Sequence, residues 1–452
     1  MFEGIKTFWR ALRAMFSTTD IKRIVGGDVA LTEELVERIE LWDAMLNGRA
    51  PWNNRAPSLG IESGICREFA DIAINEMEAK VDNENLDKHF RKAIKDLNEN
   101  LQEGIALGSM IIKPMMGGAV EYVSAKDFIP IKFDADRLVD CVLIERKKLE
   151  ANKYFFRTER HTLTDQGLRI ENKAYFSATA ANLGTQTYLT DIPEWAGYPE
   201  DITYPGMDKM DFGFYKNPIK NRVDETDCGV SIYSGAAVDR IRKADIQAAR
   251  YDWEYESGER AIHVDERALR REHNGRVYVD NLDRRLYRGL NIDAEKGDLF
   301  KEYSPEMRDE AFNRGLESYY RQIEFIVGLA YGDLSDTQNV DKTATEIRAA
   351  KQRKYNRVSA IQENLKNCLE GLVDAIAFYN GLYTTGYSFS CSFNDSILTD
   401  EEAERNQDRQ EVSMGVMRLD EYRAKWYGED RETALANLPE QSNPILDNID
   451  MR

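Results

Sequence analysis

The sequence has little histidine and little cysteine, which removes several classes of site. It contains four histidines and five cysteines among 452 residues. None of the histidines has the i, i+4 spacing of a helical metal site, and the cysteines are scattered without a C-x-x-C pair. These patterns exclude a recognisable zinc site and a disulfide framework, and they fit a reducing cytosol. We therefore predict no metal and no cofactor.

Long apolar runs are also missing. No stretch approaches the roughly 18 residues of a membrane span. Lys6, Arg10 and Arg13 interrupt the first sixteen residues, which therefore lack a signal-peptide core. An apolar stripe does lie opposite these cations, at Ile5, Trp9, Leu12 and Phe16. It leaves two alternatives: a membrane-surface helix that would make the chain a membrane-associated adaptor, or a terminal helix docked on protein. We expect no stable membrane association.

Positive charge is in deficit, with a formal net charge of −19. This argues against a general nucleic-acid coat, because neutralising phosphates needs clustered lysine and arginine. It is compatible with a protein along which DNA slides without being held. The hydrophobic content of 42% and charged content of 31% indicate a folded chain.

Recognisable catalytic motifs are absent. The closest approach to a phosphate-binding loop, Gly229–Gly235, has the wrong spacing and no lysine, and there is no G-x-S-x-G turn. The best carboxylate cluster is Asp134, Asp136, Asp140 and Glu145. It has two interpretations: a metal-dependent DNA-processing enzyme, or a hairpin turn in which aspartate is favoured for backbone reasons. We favour the turn, and we predict that the chain is not an enzyme and has no catalytic residues.

The periodicity that is present predicts an α+β fold. Helical spacing dominates up to Gly104, and a strand-rich block, Ile105–Phe176, follows with turn signals at 116–118, 134–136 and 165–167. Within the helical part, Leu86–Leu101 carries one continuous stripe and predicts one helix. Residues 177–230 combine prolines with many aromatics, which is typical of a long packed loop.

Two helices with matching apolar stripes are predicted further along the chain. Apolar residues recur at intervals of 4, 3, 4, 3 and 4 from Ala237 to Tyr255, in a helix from about Ser234 to Glu256. The same intervals recur from Phe312 to Ala330, behind Ser304 as N-cap and Pro305 as first helical residue. Such stripes predict a packed pair. The segment between them, Ser257–Tyr303, has short strand signals and charges of both signs, as in a small exposed module.

A polar loop leads from this pair into a longer helix. Gly332–Lys342 contains three aspartates and one lysine, and Thr343 with Glu346 forms a capping box for a helix to Gly381. Five cations follow the loop within ten residues: Arg348, Lys351, Arg353, Lys354 and Arg357. They form either a solvated helix face or a surface that meets acidic groups, on a neighbouring subunit or on phosphate. A strand at 387–394 and short helices at 399–414, 419–427 and 431–438 complete the prediction.

The order of these elements resembles the portal proteins of tailed bacteriophages, of the kind found in phages with long non-contractile tails. Four segments carry the resemblance: 108–148, 229–264, 342–365 and 397–422. The most specific is the start of the long helix, Lys342-Thr343-Ala344-Thr345-Glu346, directly after a short loop. The segments span most of the chain, and none is a catalytic signature.

The resemblance implies a portal-type fold and a ring of about twelve copies at one capsid vertex. Its parts would be a helical and β-rich wing, a two-helix stem, a small α/β clip, a tunnel loop, a long wing helix and a short helical crown. They map onto 1–230 (wing), 231–256 and 304–331 (stem), 257–303 (clip), 332–342 (tunnel loop), 343–395 (long helix and strand) and 396–452 (crown and tail).

The resemblance also implies sites and partners. The tunnel loop that lines the channel would present Asp333, Ser335, Asp336, Gln338, Asn339, Asp341 and Lys342. The clip would dock the packaging motor (terminase) and later the head–tail adaptor through Arg267, Arg270, Arg271, Tyr278, Arg284, Arg285 and Tyr287. The implied partners are further copies of the chain, double-stranded DNA in the channel, and the major capsid and scaffolding proteins. The implied location is the virion, after assembly in the cytoplasm of the bacterial host.

Overall fold

A computed structural model provides the fold and describes residues 18–27, 29–115, 118–150, 152–180, 182–265, 270–271, 277–278, 287–290, 300–336, 344–393 and 401–438. The chain divides into two compact units, Met1–Phe393 and Asn394–Arg452. The first unit combines antiparallel sheets with separate helices, so the α+β prediction is confirmed at this coarse level.

The first unit begins with helices and one strand: α1 (Thr18–Val25), α2 (Glu33–Leu46), α3 (Ile61–Asn75), β1 (Met77–Val81), α4 (Glu84–Ala93) and α5 (Leu97–Leu107). Side-chain caps fix two of the starts, because Thr32 accepts from Leu35 N and Asn83 accepts from Leu86 N. The single helix predicted over Leu86–Leu101 is wrong. The helix is interrupted between α4 and α5, although no glycine or proline lies there. Phe90 in α4 and Leu101 in α5 are both fully buried.

The strand-rich block forms two antiparallel sheets. Its strands are β2 (Ser109–Pro114), β3 (Val120–Ser124), β4 (Phe128–Asp134), β5 (Arg137–Glu150), β6 (Lys153–Thr164) and β7 (Gly167–Ser177). The predicted hairpins at 134–136 and 165–167 are confirmed, the first with Ala135 at a φ of 52°. The following loop is packed, as predicted, around the buried Trp195. It also contributes the short strands β8 (Thr185–Thr187), β9 (Asp201–Tyr204) and β10 (Gly213–Lys216).

A helix pair with a β insertion follows. Helix α6 (Ala236–Ser257) leads into β11 (Ala261–Asp265), β12 (Arg270–Arg271), β13 (Val277–Tyr278), β14 (Tyr287–Leu290) and β15 (Phe300–Tyr303), and α7 (Asp309–Val327) returns. The predicted start of α7 at Ser304 and Pro305 is wrong. Arg308 occupies the N-cap position instead, held by its Nε 2.9 Å from the Glu254 carboxylate on α6.

The long helix α8 (Ala344–Tyr379) forms the core of the first unit. Its apolar stripe, including Val358, Ile361, Leu365 and Leu372, is fully buried. Strand β16 (Phe389–Phe393) then pairs with β1, and the rings of Phe389 and Phe90 make an edge-to-face contact. The second unit consists, in its described part, of α9 (Glu401–Ser413), α10 (Leu419–Tyr427) and α11 (Arg431–Ala436), close to the predicted bounds.

Candidate functional site

The candidate site is the loop after α7, and a buried carboxylate fixes its first half. Helix α7 ends at Val327 because Gly328 takes a φ of +96°. Glu324, which is fully buried, then accepts hydrogen bonds at Oε1 from the backbone N–H groups of Gly332 (3.0 Å), Leu334 (2.7 Å) and Ser335 (2.8 Å). Its Oε2 accepts from the Ser335 hydroxyl at 2.9 Å. One side chain therefore supplies the hydrogen-bond acceptor for three backbone N–H groups of this turn.

A buried lysine joins the same turn to two helices. Lys354 of α8 lies 2.6 Å from Glu68 of α3 and 3.0 Å from Asp333 in the turn. Burial would lower the pKa of Lys354, but the hydrogen bond to Glu68 and the charge of Asp333 outweigh it and raise the pKa. The ammonium group therefore stays charged between two carboxylates, which is the arrangement a buried charge requires.

Two further cations of the basic segment also contact their own chain. The Arg353 guanidinium lies over the rings of Phe325 (4.9 Å) and Tyr331 (5.1 Å), and Arg357 donates to the Pro218 carbonyl at 3.3 Å. Placing Lys354 on a surface that faces DNA or a neighbour is thus wrong, because it is buried and paired with two carboxylates of its own chain. Arg357 is only partly buried, and its role stays a prediction. Lys351 is exposed, and the side chain of Arg348 lies outside the described residues.

The predicted loop residues fall into three groups. Ser335 is buried on Glu324, so its prediction as a channel-lining residue is wrong. Asp333 pairs with Lys354 but is exposed, and its channel-lining role stays a prediction. Asp336 is exposed, and its N–H donates to Glu317 at 2.9 Å. The remaining four lie outside the described residues: Gln338, Asn339, Asp341 and Lys342.

Helix α8 approaches the sheet so closely that one position has no room for a side chain. A Cβ on Gly213 of β10 would lie 2.3 Å from the Cys368 carbonyl oxygen of α8. Nearby, the Asn364 amide donates to the Lys216 carbonyl at 2.7 Å. The helix that follows the loop is therefore fixed on the sheet over its central turns.

A buried network of charged groups fixes the far end of α8. The Tyr379 hydroxyl donates to Asp211 at 2.6 Å, and the other oxygen of Asp211 lies 2.7 Å from His161 Nδ1. His161 Nε2 lies 3.3 Å from Glu159, which also pairs with Lys113 and with Arg157. Helix α8 is thus tied to β6 and β2 by an alternating chain of charges.

The surroundings of His161 favour its protonated form. Each ring nitrogen faces a carboxylate, and the ring is fully buried. Desolvation acts to lower the pKa of His161, yet the charge and hydrogen bond of Asp211, with Glu159, outweigh it and raise the pKa. The same contacts hold the pKa of Asp211 below its ordinary value in spite of its burial.

The four carboxylates considered for a metal site do not converge. Asp134 lies 3.6 Å from Arg137, Asp136 lies 2.9 Å from Lys216, Asp140 is held by Arg160 and Glu145 by Arg157. Within the described ranges, no group of histidine, cysteine, aspartate and glutamate is arranged to hold a metal ion. The turn interpretation of Asp134 and Asp136 agrees with the β4–β5 hairpin.

The insertion between α6 and α7 contains only strands among its described elements. Strand β11 pairs with β14 in parallel and with β15 in antiparallel orientation. Arg270 pairs with Tyr278 across β12 and β13, Arg271 pairs with Val277, and Tyr287 lies opposite Ile262. Arg267, Arg284 and Arg285 lie outside the described residues.

Sequence reasoning missed the two residues that organise this site. Glu324 lies between the apolar Ile323 and Phe325 within a helix. His161 lies in a strand of otherwise ordinary alternation, and its partner Asp211 is 50 residues away. An ionisable residue in a buried register, flanked by apolar neighbours, was the signal available for Glu324.

Comparison with protein-family models finds none that matches the chain, and comparison with curated proteins finds no significant match. No helix in the described ranges has the length and hydrophobicity to cross a membrane.

Proposed function

We propose that this chain is the portal protein of a tailed bacteriophage. About twelve copies would form a closed ring at one capsid vertex. The ring would be the channel for DNA packaging and ejection and the platform for the packaging motor and the head–tail adaptor. The chain would act without a catalytic site of its own.

One observation supports this proposal above the others: a helix pair projects a small β module and leads through an anchored turn into a buried helix. The pair is α6 and α7, the module is β11–β15, and the buried helix is α8. In the proposed ring, the pair is the stem, the module is the clip, and the segment after Asp336 narrows the channel.

Charge supports a conduit rather than a DNA-binding protein. A ring of about twelve chains at −19 each would carry a formal charge of about −230. Since duplex DNA is itself a polyanion, mostly acidic walls would discourage it from sticking while it moves.

Images of the purified full chain test the ring directly. We expect negative-stain or cryo-electron micrographs to show rings with a central hole. The mass measured by sedimentation should be a multiple of the 52.0 kDa chain. A chain that stays monomeric at all concentrations, or that cuts DNA in the presence of magnesium, would contradict the proposal.

Removing the β module tests the docking role. Ala261 and Tyr303 are paired across β11 and β15, so a short Gly-Ser linker can replace the strands without stretching α6 and α7 apart. We expect this variant to form rings that no longer bind the motor or the adaptor in pull-down assays with the purified partners. Retained binding would place the docking surface elsewhere.

A further inference from the structure

A groove on the outer side of the α6–α7 pair has an arginine-rich wall. Its cavity measures about 440 Å³. Arg240 lines it from α6 and Arg314, Arg321 and Phe325 line it from α7, with Tyr331 at the end nearest the loop. In a chain with a net charge of −19, such a concentration of cations needs an explanation.

These cations are poorly neutralised within the chain. Arg314 lies 3.5 Å from Glu310, and Arg240 shares Asp239 with Arg242 and Lys243. Arg321 forms no ion pair with a carboxylate of the described residues. Arg353, behind the aromatic wall, has a buried Nη1 without a hydrogen-bond partner in the described structure. The groove therefore retains capacity to bind carboxylates or phosphates.

The same face exposes apolar surface. Phe325, which lines the groove, is 59% exposed. A pair of helices cannot enclose both its own stripe and this aromatic residue, and apolar surface rimmed by charge is typical of a protein–protein contact.

The opposite end of the helix pair has the complementary chemistry. Asp252, Glu256 and Glu306 are exposed there, beside Trp253 at 61% and Tyr255 at 44% exposure. A rotationally closed ring needs two different surfaces that fit each other, and this chain has an arginine surface and an acidic one on the same element.

We propose that the arginine groove binds carboxylates of the next copy of this chain and so forms one half of the contact between neighbours. This inference rests on the proposed ring, and it adds which face of the stem makes the contact. The exposed phenyl ring of Phe325 would be covered in the same contact.

Charge reversal at the groove tests the inference. We expect Arg240→Glu with Arg321→Glu to weaken assembly at least tenfold, measured as the chain concentration for half assembly in sedimentation or native mass spectrometry. Arg240→Lys with Arg321→Lys should restore most of the assembly.

Arg242→Glu is the matched control, because this residue is on the same helix pair but does not line the groove. Circular dichroism melting identifies variants that fail to fold, and Arg321→Gln is the milder substitute in that case.

The outcomes separate the two proposals. If the wild type forms rings and the double reversal assembles equally well, the groove assignment is wrong and the ring stands. If assembly is unchanged but retention of short duplex DNA is lost, the occupant is phosphate and the inference is also wrong. A wild type that never assembles overturns both.

Discussion

At the scale of single residues, a buried carboxylate determines where the chain leaves α7. Glu324 accepts hydrogen bonds from the N–H groups of three residues that follow the helix, so these three N–H groups need no acceptor from another element. An unpaired buried N–H lowers folding stability by roughly 1–3 kcal/mol, so the Glu324 carboxylate makes a large contribution to stability for a single polar group.

We expect Glu324→Ala to lower the free energy of unfolding by about 3 kcal/mol, because several buried donors lose their acceptor. Glu324→Gln keeps one acceptor oxygen and should lose about half as much. Urea denaturation measures both, and hydrogen exchange should show faster exchange at Gly332, Leu334 and Ser335. Glu310→Ala, at a side chain that is 87% exposed, is the control. Equal losses at both positions would contradict the anchoring role.

His161 predicts a loss of stability in alkaline solution. Because its pKa is raised above the ordinary 6.5, its contribution is fully present below that pH and is lost as the pH rises through the folded-state pKa. We expect the unfolding free energy to fall as the pH rises above 7 and His161→Gln to flatten this fall. His89→Gln is the control.

A second titration has to be kept apart from this one. Burial raises the pKa of Glu62 from 4.5 to about 7, so stability already falls as the pH rises over that interval. Glu62 and the buried thiols of Cys66 and Cys141, whose pKa values burial raises, titrate in the wild type and in His161→Gln alike, so the difference between the two proteins reports His161. A slope that is unchanged in His161→Gln would mean that the ring is neutral in the folded chain.

At the scale of elements, the spacing of apolar residues predicted helices that bury an apolar stripe. The long helix was expected over 343–381 and is Ala344–Tyr379. The break between α4 and α5 escaped prediction because no glycine or proline marks it, and both halves continue the same buried stripe. The start of α7 was misplaced because Arg308 is recruited by Glu254 of another helix, a tertiary contact that local capping signals do not contain.

The position of the candidate loop in the chain was predictable from the sequence, but the contacts of its side chains were not. Composition located an acidic loop between two helices, and that location agrees with the structure. The ion pair of Asp333 is made with Lys354 of the next helix, which also binds Glu68 of α3, 286 residues away in the sequence. Long-range ion pairs of this kind leave no trace in local periodicity.

The contact between α8 and β10 gives a prediction at this scale. Gly213→Ala should lower the unfolding free energy by about 1–3 kcal/mol or more, because the new Cβ meets a backbone oxygen of α8 and one element must move. Gly197→Ala is the matched control, since a Cβ there has nothing within 4 Å. Thermal unfolding compares the two. Equal stability of the variants would show that α8 is not held tightly against the sheet.

At the scale of the whole molecule, the proposed channel makes the loop charge a determinant of packaging. We expect Asp336→Lys with Asp341→Lys to reduce the fraction of DNA-filled heads while rings still form, because cations beside the passing phosphates would hold them. Electron microscopy of heads from a phage carrying the variant measures the fraction. Asp134→Lys with Asp165→Lys, at two exposed hairpin turns, makes the same charge change as the control. Normal filling would contradict the channel assignment of the loop.

The pairing of β1 with β16 has a consequence for folding during translation. Ser388 next to β16 donates to Asp82 next to β1 across 306 residues of sequence. Strand β1 cannot acquire this partner until Phe393 has been translated and has left the ribosome. Nascent chains on one polysome would thus remain incompletely folded while they are close together, which delays their association until β16 is available.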